Sequence, residues 1–254
     1  MPSRAVEAAL LAAVGIAATA LAFTLLKPYL FPQRAIKLEM IRDNVELLAA
    51  ILDRRGGRFT PQATYLVQAE GARFHAEIRV KDPSGEVIWN VGFTLPLPTA
   101  NVTLDEKRSP FILRGSISPY ANATAPTMAF VDGAKVEVIL RPALRVEDCE
   151  YFGLKCKRVS VTIPVLRLEA SGKPASKCAW AEGRAVDVYL NGSTILPPEL
   201  KYGKELLISM KILDLDNNVK EILGYSLERE LQLDLQENGV FLIQYIFDNI
   251  VARC

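Results

Sequence analysis

Between Ala72 and Leu95 the sequence changes character every second residue, a period that suits a pair of strands with one buried face. Ala72, Phe74, Ala76, Ile78 and Val80 alternate with Arg73, His75, Glu77 and Arg79. Asp82-Pro83-Ser84-Gly85 then supplies turn chemistry, and Val87, Trp89, Val91, Phe93 and Leu95 resume the apolar rhythm. The same period recurs at Val136, Val138 and Leu140, at Val159, Val161 and Ile163, at Val186, Val188 and Leu190, and at Leu231, Leu233 and Leu235. Glu237-Asn238-Gly239 is expected to turn the chain into Val240-Phe241-Leu242-Ile243, whose unbroken apolarity predicts a strand covered on both faces. Many short strands with polar turns and no helix between them predict a mainly β protein, an antiparallel β-sandwich in one large or two small domains. Glu169 to Lys177, poor in large apolar residues, is the best internal boundary, separating a β-sandwich domain over 58–170 from a second β domain, or a continuation of the first, over 171–254.

Upstream of Gly57 the period is helical. Leu38, Ile41, Val45, Leu48 and Leu52 recur at spacings of three and four, with Met40, Leu47 and Ile51 widening the stripe. Glu39, Arg42, Asp43, Glu46 and Asp53 fall mostly elsewhere, and Gly56-Gly57 is expected to end the helix. This stripe either docks on the domain that follows or meets a partner helix.

Nearer the start, Ala8 to Leu26 carries no charge and sits behind a short basic stretch, Met1 to Arg4, within an expected cytoplasmic leader over 1–7. As a helix it would span about 28 Å, close to the hydrocarbon thickness of a bilayer. It reads as a transmembrane signal-anchor over 8–26, followed by a linker and the amphipathic helix over 27–57, with Pro28 and Pro32 punctuating the exit. A cleaved signal is the alternative, since Ala20-Leu21-Ala22 offers a small-x-small site, but Phe23 to Leu26 would then leave a greasy terminus.

Arg4-Ala5, followed by Val6-Glu7 and the long Ala/Leu/Val/Ile run, resembles the start of archaeal type IV pilin-like proteins. That resemblance covers the first thirty or so residues. It implies removal of the leader and assembly into a filament, with the apolar helix as the contact surface.

Orientation is contested by the residues themselves. Lys27, Arg34, Lys37 and Arg42 follow the apolar run and only Arg4 precedes it, which favours a cytoplasmic C-terminal domain. Three N-x-[ST] acceptors, at Asn101, Asn122 and Asn191, and an even number of cysteines, 4, argue for export as a glycoprotein of an oxidising compartment. The expected location is the cell membrane, single-pass, with the C-terminal domain extracytoplasmic. Cys149 and Cys156 bracket a Gly-containing segment that a hairpin could close; Cys178 and Cys254 then pair by elimination.

Catalytic signatures are scarce. The one histidine, His75, falls on the polar side of its strand, and the sequence contains no HExxH, no G-x-S-x-G elbow, no P-loop and no Gly-rich dinucleotide fingerprint. Asp214-x-Asp216-x-Asn218 opens like a calcium loop, but Val219 and Tyr225 occupy the positions needing glycine and a bidentate glutamate. No metal, cofactor or catalytic residue is assigned. A net charge of +1 gives no drive toward nucleic acid. The expectation is a bilayer-anchored surface protein, not an enzyme, with a structural, adhesive or accessory-subunit role and a cell-surface or membrane-complex protein as partner. A pilin-like filament subunit and an exported carboxylate-dependent hydrolase are the alternatives.

Overall fold

The computed structural model describes residues 37–115, 118–122, 126–213 and 228–254. The apolar run Ala8 to Leu26, its leader, and the Asp214 to Asn218 loop lie outside them. Among the described residues no helix is long and apolar enough to cross a membrane. They form one helix, α1 (Leu38–Asp53), and twelve strands: β1 (Gly56–Phe59), β2 (Tyr65–Lys81), β3 (Val87–Arg114), β4 (Ala121–Asn122), β5 (Thr127–Leu140), β6 (Ala143–Tyr151), β7 (Leu154–Ala170), β8 (Lys173–Ala175), β9 (Lys177–Trp180), β10 (Val186–Ile195), β11 (Glu199–Leu213) and β12 (Glu228–Arg253).

The protein is mainly β. The twelve strands belong to one hydrogen-bonded sheet where the alternation had suggested two stacked ones, with the central path β4-β6-β7-β12-β11-β2-β3-β5. Most neighbours are antiparallel, but β12 runs parallel to β7 from Val240 beside Cys156 to Arg253 beside Glu169. The pairing crosses the expected boundary at Glu169 to Lys177, and residues 36–254 fall in one compact unit.

Several strands are far longer than the short ones expected, 28 residues in β3 and 26 in β12, because they serve two cores in succession. In β2, Tyr65 and Val67 enter one core while Ala72, Phe74, Ala76, Ile78 and Val80 enter the other. Odd positions give way to even ones across a bulge: Gln68 pairs with Thr99 and Ala72 with Leu97, so Ala69, Glu70 and Gly71 face Pro98 alone. Gly71 is required there, since a Cβ would lie 1.7 Å from the Thr99 hydroxyl. In β7 the change falls at Pro164, between Ile163 in one core and Leu166 in the other. Proline is tolerated because the β6 ladder has already ended at Thr162. β12 changes sides at Asp248, between Tyr245 and Ile250.

The first core is closed by α1. Leu38, Ile41, Val45, Leu48 and Leu52 are all buried against the protein's own strands, so the stripe offered to a partner is taken up within the chain. Ile51 joins them, whereas Met40 and Leu47, expected on the stripe, are 65% and 48% exposed. The buried face also holds polar residues. Asn44 donates from Nδ2 to the Thr60 carbonyl at 3.0 Å and accepts at Oδ1 from the Gln62 amide and the Tyr65 hydroxyl, both at 3.1 Å. Asp53, read as a polar-face residue, is half-buried with its carboxylate turned inward, accepting from Arg114 Nη2 at 2.6 Å and the Thr127 amide at 2.9 Å. Burial pushes the nearby Arg141 guanidinium down to about 10, with Asp53 opposing the shift, so it stays charged at neutral pH.

The helix ends at Asp53, and Arg55, not a glycine, takes the left-handed conformation with φ 54. A left-handed non-glycine costs about 1 kcal/mol or more. The Arg55 guanidinium lies in an ion pair with the buried Asp248, whose other oxygen accepts from the Ser193 hydroxyl at 2.5 Å.

The second core lies on the opposite face and is enclosed by the curl of β2, β3, β5, β6, β7, β11 and β12. The β2–β3 turn forms as the sequence predicts. Asp82 Oδ1 accepts from the Ser84 amide, the Ser84 hydroxyl and the Glu86 amide, which holds its carboxyl below the usual range. Two expectations fail. Val87 starts β3 exposed. Glu237-Asn238-Gly239 does not reverse the chain: β12 pairs with β11 on both sides of it, through Gly203 beside Gly239 and Glu205 beside Asp234, so 235–238 bulge from a continuous strand. Past the bulge, Val240 to Ile243 are covered on both faces, as their apolarity predicts.

Candidate binding cleft at the waist

Beside the β2 bulge, Glu70, Gly71, Ala72 and Arg73 of β2 and Thr94, Leu95 and Pro96 of β3 line an open cleft of about 330 Å³. A narrower recess of about 90 Å³ adjoins it, sharing Glu70, Leu95 and Pro96 and walled by Ile163, Pro164, Val165 and Phe247. Its walls are apolar because they are the ends of the β7 and β12 segments whose side chains are passing from one core to the other.

The rim is polar. Glu70 and Arg73 are exposed at the mouth, one charge of each sign. His75, paired across the ladder with Thr94, places Nδ1 2.9 Å from the threonine hydroxyl. This arrangement sets a small apolar recess beside a charged rim. Hydrolysis by paired carboxylates needs two acids roughly 5 to 9 Å apart. Glu70 is the one carboxylate among the described residues lining the cleft. Nor do the described residues contain a group of three His, Cys, Asp or Glu side chains placed to hold a metal ion.

The residues singled out from sequence lie elsewhere, and the structure does not gather them into one site. Cys149 and Cys156 are joined across the β6–β7 hairpin, with Cα atoms 4.6 Å apart. Cys178 and Cys254 are joined at the other end, tying β9 to the residue after β12. Asn101 is half-buried within β3, between Leu66 and Glu137. Asn191 is exposed at the irregularity in β10 between Leu190 and Ser193. Asn122 lies in β4, its side chain outside the described residues.

Sequence reasoning missed the cleft. Its signal is the interruption Ala69-Glu70-Gly71, which puts Val67 and Ala72 out of phase, followed on the partner strand by Pro96 and Pro98. A phase slip between two alternating runs marks a bulge, and bulges often lie beside functional surfaces.

No protein-family model, curated protein or solved structure matches this chain.

Proposed function

We propose that the protein is a single-pass, membrane-tethered surface protein whose β domain stands outside the cytoplasm and acts by contact, as a structural, adhesive or accessory subunit. The observation that carries this reading is cysteine usage. Among the described residues no cysteine is free, and both disulfides staple a β scaffold, the pattern of exported domains. The uncharged run Ala8 to Leu26 supplies the tether. Asn191, exposed on β10, is more open to a glycan than the half-buried Asn101. The apolar recess beside the cleft supports a role in binding.

Protease applied to intact spheroplasts tests the reading: the β domain is digested from outside, while the protein stays in the pellet after alkaline carbonate extraction. Protection until lysis places the domain in the cytoplasm and overturns the reading. Soluble protein starting at Phe23 replaces the tether with a cleaved signal, and a start at Val6 favours a pilin-like subunit.

A further inference from the structure

Exposed large apolar side chains gather at one rim of the sheet, the hairpin end. Phe152, 90% open to solvent, and Leu154 stand at the β6–β7 turn, Val87 and Ile88 at the start of β3, and Tyr202 on β11. The register puts them at one level. Tyr202 pairs with Val240 and Val240 with Cys156, next but one to Leu154; a little further along β11, Glu205 pairs with Lys81, and Lys81 with Val87. Two of these side chains sit where the backbone is irregular. Phe152 holds the left-handed conformation, φ 50, before Gly153 at φ 77, in a turn whose geometry favours Asn-Gly or Asp-Gly because a bulky side chain at positive φ is strained. Ile88 is the extra residue of a bulge, since Val80 pairs with Trp89 and Lys81 with Val87. The β6–β7 tip is ordered all the same. Tyr151 packs edge-on against the Phe152 ring at 4.7 Å, and the Cys149–Cys156 disulfide locks the adjacent rung, so the tip loses little freedom when it meets a surface.

We propose that this rim inserts into the surface of a phospholipid bilayer, and that this bilayer is a second one, distinct from the bilayer that holds the tether. The form of the rim argues for lipid. Its apolar side chains stand on two separate turns, four strand spacings or about 19 Å apart along the sheet, with backbone and charged groups between them. A protein partner would have to match that broken surface point by point over about 800 Å². Lipid closes round each projecting side chain separately. Charge agrees with insertion, because the ions of the rim are set in opposite-sign pairs: Lys81 lies 3.5 Å from Glu205, Lys201 lies 3.2 Å from Glu199, and Glu150 stands opposite Lys155. Paired charges cost less to bring to a bilayer, and Tyr202 is of the amphipathic kind that settles at head-group level.

The position of the rim argues for a second bilayer. β3 starts at the rim and continues to Arg108, which reaches Glu39 in the first turn of α1 at 3.0 Å. The strand between Val87 and Arg108 is up to about 70 Å long. The described chain begins at Lys37, one residue before α1, so the rim and the start of the domain lie at opposite ends. An anchored domain of this form touches another lipid surface with its far end. The choice of a second bilayer rests on the tethered-surface reading; insertion of the rim does not.

The test uses full-length protein reconstituted in phosphatidylcholine vesicles and mixed with protein-free phosphatidylcholine vesicles of a different acyl chain, with capture of the second set read by flotation. Phe152→Asn keeps a residue that suits the turn and should weaken capture about tenfold. With Ile88→Gln added, the loss should reach about a hundredfold, as for two apolar side chains buried independently. Met40→Gln with Leu47→Gln, at exposed positions of α1, should leave capture unchanged. Raising salt from about 50 to about 500 mM should change it less than about threefold, because insertion is not a charge attraction.

Parent protein that captures no vesicles overturns the proposal. So does capture unchanged in the Phe152→Asn, Ile88→Gln protein while circular dichroism and both disulfides stay parental, an equal loss in the α1 variant, or capture abolished by salt. A photo-cross-linking residue in place of Phe152 keeps a bulky side chain at the tip and reads the contact directly. Labelling of the second vesicles' acyl chains supports the proposal; labelling of the holding vesicles' chains overturns the second bilayer, and labelling of protein overturns lipid as the partner. Carbonate extraction reads the tether separately. Protein that is extracted yet still floats with added vesicles removes the tether and supports rim insertion, whereas protein that resists extraction and captures nothing keeps the tether and overturns insertion.

Discussion

The two ends of the sheet solve closure differently. At the helix end, α1 lays an apolar face over the strands, Asn44 and Asp53 tie it down with hydrogen bonds, and Cys178–Cys254 clamps β9 to the residue after β12. At the hairpin end no helix among the described residues covers the core; strands enclose it, and the projecting tip carries a solvated aromatic and a short disulfide. The helix end leaves Met40 and Leu47 partly open on the outer side of α1, while the hairpin end projects Phe152, 90% exposed, from its tip. The stability of the helix end is therefore distributed over many buried contacts, and the hairpin end concentrates its distinctive chemistry in four residues, Tyr151 to Leu154.

The sharpest way to break this contrast is to release the long clamp. The Cys178–Cys254 bridge spans 76 residues of sequence, and chain entropy assigns it about 4 kcal/mol. Cys254→Ser should lower the denaturation midpoint by that order, read by urea titration; a change below 1 kcal/mol would mean that the strands already fix the terminus. Next comes Leu48→Ala, which empties a fully buried helix position and should cost about 2 to 5 kcal/mol in the same titration.

Removing both cysteines of the hairpin, Cys149→Ala with Cys156→Ala, opens a loop of separation 7 and should cost about 2.5 kcal/mol. A larger loss there than at Cys254 would invert the comparison. The smallest effect is expected from Phe152→Asn, which relieves a left-handed aromatic and should raise stability by no more than about 1 kcal/mol. A clear loss of thermal stability would show that the tip supports the fold.

The two tryptophans sharpen the contrast further, because Trp180 is buried at the helix end and Trp89 packs beside the hairpin-end core. With Trp89→Phe and Trp180→Phe each leaving one fluorophore, the two unfolding curves should coincide, since β2, β3, β7 and β12 run through both cores. Separated midpoints would make the ends independent folding units.

Local periodicity carried the elements that bury one face throughout. The β2–β3 hairpin and the stripe of α1 were legible because each residue's neighbours two or three to four places away share its surroundings. Interruptions of period were harder to read. The slip at Ala69 to Gly71, the side change at Pro164 and the bulge at 235–238 resemble loops or turns in sequence, yet the ladder continues past them because distant partners hold both flanks. The buried Asn44 and the half-buried Asp53 were invisible for a related reason: their hydrogen-bond partners lie as far away as Tyr65 and Thr127, and no spacing rule announces them. The cleft arises at just such an interruption.

The place of β12 in the sheet has a consequence for biogenesis. β12 is the last strand in chain order among the described residues, yet it lies in the middle, paired with β7 on one side and with β10 and β11 on the other. Until residues 228–253 emerge from the ribosome, β7 and β11 have no partner between them and neither core can close. The ladders β2–β3–β5 and β6–β7 can pair before then, but the sheet they belong to stays divided until β12 enters. A central strand contributed last makes closure a late step that proceeds from the middle of the sheet outward, with the earlier strands left open to whatever binds extended polypeptide until then.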